Sequence, residues 1–334
     1  MKRPGFSTRT FALAALVALG GLTPGQAQTV VPGATRIARW KDDKKAVFLL
    51  MFDDSIPSDF RTVLPELQKR GMIGTFYVNP GKGEWQAFKD KWEKEIPATG
   101  MVYANHTWTH QGITSLDNAE EEIGKANEVI LKLFPGKEPR LISFGRPGVG
   151  KGQWTISEDE LKQVLAKHHL IERGAFGGHG AMIAFKTAEE MLALADEAIA
   201  NGGVEYIVFH GVGAEWIVTP VDTFVKLLDG LAARRDQLWI TDHISAHQYE
   251  TERSTAEVNV LEAGAQKIRL ELKSKADSQL YDFPLTLITQ VPANWGQCQV
   301  VQGTKKSTVA AANGALQFEA LPGDEAITIQ PVAG

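Results

Sequence analysis

Apolar runs alternate with amphipathic segments along the first three quarters of the chain. The segment 45–52, KAVFLLMF, is continuously apolar after its lysine, which is typical of a strand buried on both faces. Apolar residues at helical spacing fill the gaps between this run and six shorter ones, at 73–78, 101–104, 141–144, 170–173, 205–209 and 237–241. Regular alternation of strands and helices predicts parallel strands with right-handed crossovers. We therefore predict an α/β fold. About seven parallel strands fit a distorted (β/α) barrel better than an open sheet, and the periodicity alone leaves both architectures open.

The predicted helices lie near 58–70, 85–94, 117–134, 157–169, 187–201 and 220–235. Two of them carry a clear N-terminal signal. Ser157 is followed three residues later by Glu160, and Thr187 by Glu190, which is the spacing of a capping box. These two helices should therefore begin directly after Ser157 and Thr187.

The pattern changes after about residue 252. Seven short segments of alternating polarity follow, separated by turns such as Asn313-Gly314 and Pro322-Gly323, and no helix lies between them. This pattern is typical of an all-β sandwich of about eighty residues. We predict a barrel domain over 35–252 and a small C-terminal β-sandwich accessory domain over 255–334.

Residues 1–27 have the features of a secretory signal peptide. Lys2, Arg3 and Arg9 precede a short apolar segment, and Gly25 and Ala27 form a small-x-small cleavage site. The alternative, an uncleaved membrane anchor, would need a longer apolar run. We predict that the mature protein begins at Gln28 and is exported, to a periplasm or to the medium, without inserting in a membrane.

The charge of the chain excludes two classes of binding partner, and its cysteine content excludes an internal disulfide. The formal net charge is −5, and loss of the three basic residues of the signal segment lowers it to −8. No basic cluster offers a surface for nucleic acid or for anionic lipid, so neither is an expected partner. The only cysteine, Cys298, cannot form an internal disulfide, and its position predicts a small buried residue of a strand.

Polar residues that can carry chemistry follow the predicted strands. They are Asp53 and Asp54 after the first strand, His106 and His110 after the third, Arg146 after the fourth and His210 after the sixth. The carboxyl ends of barrel strands form the face on which active sites are built. Asp54, His106 and His110 would make a metal-binding tripod with an open position for water, leaving Asp53 as a base. The alternatives are a solvated turn or helix cap for the two aspartates and a chance spacing for the two histidines.

Four motifs in this order resemble the NodB-type polysaccharide deacetylases, which form carbohydrate esterase family four. The motifs are MFDDS, NHTWTH, FGRPG and YIVFHG, and the resemblance extends over about residues 40–250. It implies a distorted (β/α) barrel, one divalent metal ion that is usually zinc, and hydrolytic removal of acetyl groups from glycans.

The resemblance also implies roles for single residues. Asp53 matches the family's general base, the tripod of Asp54, His106 and His110 matches its metal ligands, and His210 matches its general acid. The tetrahedral oxyanion would be stabilised by the metal and a backbone N–H, for which we suggest Gly148.

Two departures from the family pattern leave supporting roles open. Arg146 directly precedes Pro147, whereas the family usually separates them by one residue; Arg146 could still pair with Asp53, or be a surface arginine. The Asp-x-x-Asp-Trp motif that orients the family's acid histidine is absent after the fifth strand. We suggest Asp242, at the end of the seventh strand, for that role.

Three further features have a structural and a functional interpretation. Trp216 could be a platform for a sugar ring or an aromatic packed in the barrel rim, and Trp108 is expected to pack against the two histidines. His243 and His247 repeat the four-residue spacing. The only obvious carboxylate ligand for them is Asp242, which is too few for a second metal site. We therefore expect His243 and His247 to line the substrate groove or to pack beside Tyr249.

Together these observations predict an exported, metal-dependent polysaccharide deacetylase whose partner is an acetylated polysaccharide or oligosaccharide. Hydrolysis of N-acetyl groups is the leading reaction. An O-acetyl carbohydrate esterase of the acetylxylan type would use the same residues, and a non-catalytic glycan-binding protein is the alternative from another class. The sequence does not distinguish oligomeric states.

Overall fold

A computed structural model describes residues 31–332. The predicted signal peptide, 1–27, lies outside these described residues. Within 31–332, no helix is long and apolar enough to cross a membrane.

The predicted parallel sheet of seven strands is confirmed. Its strands are β2 (Ala46–Asp53), β3 (Thr75–Val78), β4 (Val102–Asn105), β5 (Ile142–Phe144), β6 (Leu170–Glu172), β7 (Val204–Phe209) and β8 (Leu238–Thr241). They are hydrogen-bonded in the order β6-β5-β4-β3-β2-β7, and β8 pairs in parallel with residues 46–49 of β2. The sheet is thus a distorted, incompletely closed barrel centred on β2.

Burial on both faces explains why β2 is continuously apolar. Phe48, Leu50 and Phe52 belong to one buried cluster that includes the helices outside the sheet. Val47 and Met51, on the alternate positions, belong to a second cluster that extends into the C-terminal β-sheets. Since successive side chains of a strand point to opposite faces, every position of β2 needs an apolar side chain until the chain reaches Asp53.

The outer helices lie close to the predicted segments. They are α1 (Leu64–Lys69), α2 (Gly83–Ala87), α3 (Leu116–Ala119), α4 (Lys125–Leu133), α5 (Glu158–Lys167), α6 (Ala188–Asn201) and α7 (Val221–Ala233). Both predicted capping boxes are present, at the N-termini of α5 and α6. The predicted helices near 58–70, 85–94 and 117–134 are each interrupted by a π-helical turn, at Asp59–Val63, Lys91–Glu95 and Glu120–Gly124.

The C-terminal region forms two antiparallel sheets, as the alternating pattern predicted. The strands are β9 (Glu257–Ala263), β10 (Ile268–Lys273), β11 (Leu285–Gln290), β12 (Gln297–Gln302), β13 (Lys305–Ala310), β14 (Ala315–Ala320) and β15 (Ile327–Pro331). Five of them form one sheet in the order β13-β12-β15-β10-β9. Cys298 is fully buried in β12 with its thiol free.

The second sheet contains the first strand of the chain. Strand β1 (Thr35–Ile37) pairs with β11, with Thr35 opposite Thr289, and β11 pairs with β14. The predicted division placed residues 35–37 with the barrel, and the structure places them in this sheet of the accessory region.

Helix α8 (His243–Thr255) connects the two regions and was not predicted. Asp242 is its N-cap and accepts a hydrogen bond from the Ser245 N–H. Tyr249 is buried and donates from its hydroxyl to the Ala38 carbonyl. Through Tyr249, α8 joins the apolar cluster shared by β2 and the antiparallel sheets, so the barrel and the sandwich have a continuous core.

Candidate functional site

Two loops at the carboxyl ends of β2 and β4 bring Asp54, His106 and His110 together. One ligand atom from each residue lies within 4.8 Å of the others. The Asp54 Oδ1 atom is 3.0 Å from His110 Nε2 and 3.5 Å from His106 Nε2. Asp54 and His106 are almost completely buried, whereas His110 is partly exposed. The site is therefore open to solvent on the His110 side.

The ligand loops use backbone conformations that L-residues seldom adopt. Asp54 has φ +83°, Thr107 has φ +69° and His110 has φ +63°. The segment 106–110 that follows β4 is thus a tight loop and not a helical turn. Residues in this region commonly mark sites where surrounding contacts impose the geometry.

Buried polar side chains impose this geometry. Asn79 donates from Nδ2 to the carbonyls of His106 and Thr107, the latter at 3.0 Å. Asn105 Oδ1 accepts from the Thr107 N–H at 2.9 Å. Glu122 accepts from both the N–H and the hydroxyl of Thr109. The loop is consequently held by hydrogen bonds from three separate elements.

The donor set fits a divalent ion such as zinc. Ligand atoms around a tetrahedral zinc ion with bonds of about 2.0–2.1 Å lie about 3.3 Å apart, close to the two distances from Asp54 Oδ1. His106 Nδ1 donates to the Gly145 carbonyl at 2.7 Å, which leaves the Nε2 lone pair toward the other ligands. Asp54 Oδ1 is buried without a hydrogen-bond partner in the described residues.

Electrostatics keep the Asp54 carboxylate ionised. Burial disfavours the charged form, but the neighbouring imidazoles of His106 and His110 outweigh this effect and hold the pKa of Asp54 far below its usual range. An ionised carboxylate beside two imidazoles is the state that binds a cation.

Asp53 lies beside this tripod and pairs with Arg173. The Arg173 guanidinium donates from Nη2 to Asp53 Oδ2 at 2.6 Å, and both side chains are almost inaccessible to solvent. The same guanidinium lies 4.0 Å from the centre of the Tyr77 ring. Asp53 Oδ2 is also 3.7 Å from His106 Nε2, while Oδ1 is buried and has no described partner. One oxygen is thus fixed and the other remains available as an acceptor.

Arg146 does not form the suggested pair with Asp53. It is about one-third exposed and binds Glu158 through Nη1 and Nη2, both at 2.7 Å, and Glu172 through Nε. These hydrogen bonds raise the pKa of Arg146 above its usual value. Arg146 follows β5 at the rim of the sheet. Its guanidinium pairs there with the carboxylates of Glu158 and Glu172 and not with the buried Asp53.

His210 follows β7 and lies beside the tripod. Its Nε2 atom is 3.6 Å from Asp54 Oδ2, and its ring packs edge-on against Phe176 with centroids 4.9 Å apart. Burial lowers the pKa of His210, although the carboxylates of Asp53 and Asp54 oppose this shift. The suggested Asp242–His210 contact is absent, because Asp242 instead caps α8. His210 Nδ1 is buried without a partner among residues 31–332.

The remaining predicted residues lie at the rim. Trp216 is 39% exposed and donates from its indole N–H to Asp54 Oδ2 at 3.1 Å. Gly148 is exposed in the loop after β5, and its N–H donates to no acceptor in the described part of the chain. His243 hydrogen-bonds Ser143 and His247 lies 3.2 Å from the Tyr281 hydroxyl, so both contact other protein groups.

Arg173 and Phe176 are the site residues that the sequence analysis missed. A signal for Arg173 existed, because it ends the predicted fifth strand and so belongs to the same face as the other strand-end residues. No comparable signal marks Phe176, which lies in a glycine-rich loop.

Residues 41–168 match the family model described as polysaccharide deacetylase. This match confirms the family resemblance that the motifs indicated. The matched range contains Asp53, the tripod and Arg146, and it ends before Arg173, His210 and Trp216.

Individual relatives are distant. The chain is 23% identical to a gellan lyase from a Bacillus species over 90% of its own length, and it spans 13% of that much longer protein. Among solved structures, a family 4 carbohydrate esterase from Streptomyces lividans in complex with acetate shares 18% identity, with 58% of this chain and 91% of that chain covered and a TM-score of 0.43. A CE4 family pseudoenzyme from Bacillus anthracis shares 17% identity, with 59% and 63% covered and a TM-score of 0.42.

Proposed function

We propose that this chain is an exported, metal-dependent hydrolase that removes acetyl groups from an acetylated polysaccharide or oligosaccharide. The observation that carries the proposal is the convergence of a base, three ligand atoms and an acid. Asp53 Oδ2 lies 3.7 Å from the ligand atom of His106, and His210 Nε2 lies 3.6 Å from the carboxylate of Asp54. A binding module has no need to combine these five residues in one buried site.

Asp54, His106 and His110 would hold the metal ion. A divalent ion there, zinc by the family resemblance, would act as a Lewis acid toward the acetyl carbonyl and the attacking water. The hydrogen bond from His106 Nδ1 to Gly145 fixes that imidazole in the tautomer and orientation that a ligand requires.

Asp53 would accept the proton of the attacking water. Its Oδ1 atom is the oxygen without a protein donor, and Arg173 fixes the carboxylate through Oδ2. A base that is held in one rotamer needs no reorganisation during the reaction. Arg173 is therefore a positioning residue for Asp53.

His210 would donate a proton to the leaving nitrogen or oxygen. The Phe176 ring restricts the imidazole, and the unpartnered Nδ1 leaves its orientation to packing rather than to a carboxylate. The Gly148 N–H, which has no described acceptor, would stabilise the oxyanion, and the exposed part of the Trp216 ring would stack on a sugar.

Amide hydrolysis at N-acetyl sugars is the reaction that we place first. Removal of O-acetyl groups, as from acetylated xylan, uses the same residues and differs only in the leaving group that His210 protonates. No described contact favours one leaving group over the other.

Acetate release tests the proposal. The purified protein is incubated with chitin oligomers, peptidoglycan and acetylated xylan, first with a chelator and then with added Zn²⁺ or Co²⁺. We expect metal-dependent acetate from at least one substrate, and a loss of about 10²–10⁴-fold in Asp53→Asn and His210→Ala.

His179→Gln is the matched control. His179 stacks on Tyr206 and lies 3.0 Å from Glu205, so this variant should keep the wild-type rate. Absence of metal-dependent acetate from every substrate would overturn the enzyme proposal, and glycan binding without hydrolysis would favour the binding-protein alternative.

A further inference from the structure

The Asp54 carboxylate has two oxygens with different surroundings. Oδ1 faces the Nε2 atoms of His106 and His110 and has no hydrogen-bond donor among residues 31–332. Oδ2 accepts the indole N–H of Trp216 at 3.1 Å. The side chain is thus oriented by one oxygen and free to ligate through the other.

The loop that carries Trp216 is tightly constrained. Gly211 donates its N–H to the Trp216 carbonyl at 3.0 Å, and Thr219 donates back to the Gly211 carbonyl at 2.8 Å. A Cβ on Gly211 would lie 1.9 Å from the Ala214 carbonyl oxygen, so only glycine permits this close approach. The loop therefore closes on itself and presents Trp216 at its tip.

The residues on either side of Trp216 have left-handed backbone conformations. Glu215 has φ +69° and Ile217 has φ +48°, a value that β-branched residues rarely adopt. Trp216 itself remains 39% exposed, with the Lys82 ammonium 5.2 Å from its ring centre. The constrained backbone thus holds the indole N–H at Asp54 while the ring stays partly exposed.

We infer that Trp216 is a positioning residue for the metal ligand Asp54, acting through its indole N–H and independently of any role of the ring in sugar stacking. This inference rests on the proposed function only in requiring a metal ion at the tripod. Outer hydrogen bonds to ligating groups commonly change metal affinity by about 10- to 100-fold. The sequence did not indicate the contact, because Trp216 and Asp54 lie 162 residues apart.

Zinc binding to the full-length mature protein tests the inference. Affinity for Zn²⁺ is measured by competition with a chromophoric chelator in wild type, Trp216→Phe and Trp154→Phe. Phenylalanine keeps an apolar ring and removes the N–H, so Trp216→Phe should bind Zn²⁺ about 10- to 100-fold more weakly. Trp154 lies beside Arg146 and has no described hydrogen bond from its indole, so Trp154→Phe should match wild type.

A measurement on the wild-type protein keeps the test decisive if Trp216→Phe folds poorly. In ¹⁵N spectra of the wild-type protein, the Trp216 indole resonance, assigned from its connectivities within that protein, should shift when Zn²⁺ is added and should exchange slowly with solvent. Equal zinc affinities in wild type and Trp216→Phe, or a fast-exchanging indole that ignores Zn²⁺, would overturn the inference. Failure of wild type itself to bind Zn²⁺ would instead refute the proposed function.

Discussion

Replacement of Arg173 by methionine tests how the candidate base is held. Methionine keeps much of the arginine volume but removes the charge that compensates Asp53 in a site where both side chains are at most 4% exposed. Removing one partner of a buried ion pair costs about 3–5 kcal/mol, because the remaining charge is left without compensation. We expect the free energy of unfolding to fall by this amount in Arg173→Met.

The double variant Arg173→Met/Asp53→Asn separates charge from packing. It removes both charges, so the penalty for an isolated buried carboxylate disappears. The remaining loss is the contact of the guanidinium with the Tyr77 ring, about 2 kcal/mol for a desolvated cation–π pair. The double variant should therefore be more stable than Arg173→Met alone.

Arg146→Met is the control. Arg146 also binds two carboxylates, but its side chain is about one-third exposed, and exposed ion pairs contribute at most about 1 kcal/mol. Urea unfolding of wild type, Arg173→Met, Asp53→Asn, the double variant and Arg146→Met at pH 7 gives the comparison. A loss below about 1 kcal/mol in Arg173→Met, or a double variant as unstable as the sum of its single variants, would refute the assignment of Arg173 as the buried partner of Asp53.

Three further changes test buried polar groups of the fold. Burial raises the pKa of Glu252 to about 7, so its contribution to stability is present below about pH 4.5 and is lost as the pH rises through 7. Urea unfolding at pH 5 and pH 8 should show a loss of at most about 3 kcal/mol in wild type and none in Glu252→Gln, and equal pH dependence of both proteins would contradict this. Burial lowers the pKa of His243 to about 4, so its contribution to stability is present above about pH 6.5 and is lost as the pH falls through 4. His243→Gln should reduce the loss of stability at low pH by up to about 3 kcal/mol, and an unchanged midpoint of acid unfolding would argue against this. Asn79→Ala leaves the carbonyls of His106 and Thr107 without their donor, so the free energy of unfolding should fall by about 1–3 kcal/mol and zinc should bind more weakly. A wild-type free energy of unfolding together with wild-type zinc affinity would show that the loop does not depend on Asn79.

The parallel strands could be predicted because burial on two faces leaves a plain pattern. Strand β2 has no exposed position, so its apolar run is continuous and ends where the polar site begins. Helix α8 gave no such pattern. Its sequence is mostly polar, and only Ala246, Tyr249 and Glu252 are buried, so no apolar stripe appears at helical spacing. Strand β1 has only three residues, and its partner β11 lies about 250 residues away in the chain.

The positions of the candidate site residues at strand ends could be predicted, whereas contacts made through other residues could not. The tripod follows from the position of Asp54 after β2 and of His106 after β4, which parallel strands bring to one edge. The choice between Arg146 and Arg173 depends on competition. Glu158 and Glu172 satisfy Arg146 at the rim, and only the structure shows that these carboxylates are nearer to it than Asp53. A motif specifies residue types, whereas the ion pair that an arginine forms depends on which carboxylate lies nearest to it in the fold.

The ligand loops show why the supporting residues are buried and polar. Asp54, Thr107 and His110 all have left-handed backbone conformations, each of which costs roughly 1–2 kcal/mol for an L-residue. An apolar core cannot impose such conformations, because it does not direct single N–H and carbonyl groups. Asn79 and Asn105 do so through hydrogen bonds to the loop backbone, and both side chains are fully buried. The geometry of the candidate metal site is therefore set by amide side chains outside the proposed ligand set, and their loss should affect zinc affinity before it affects the barrel.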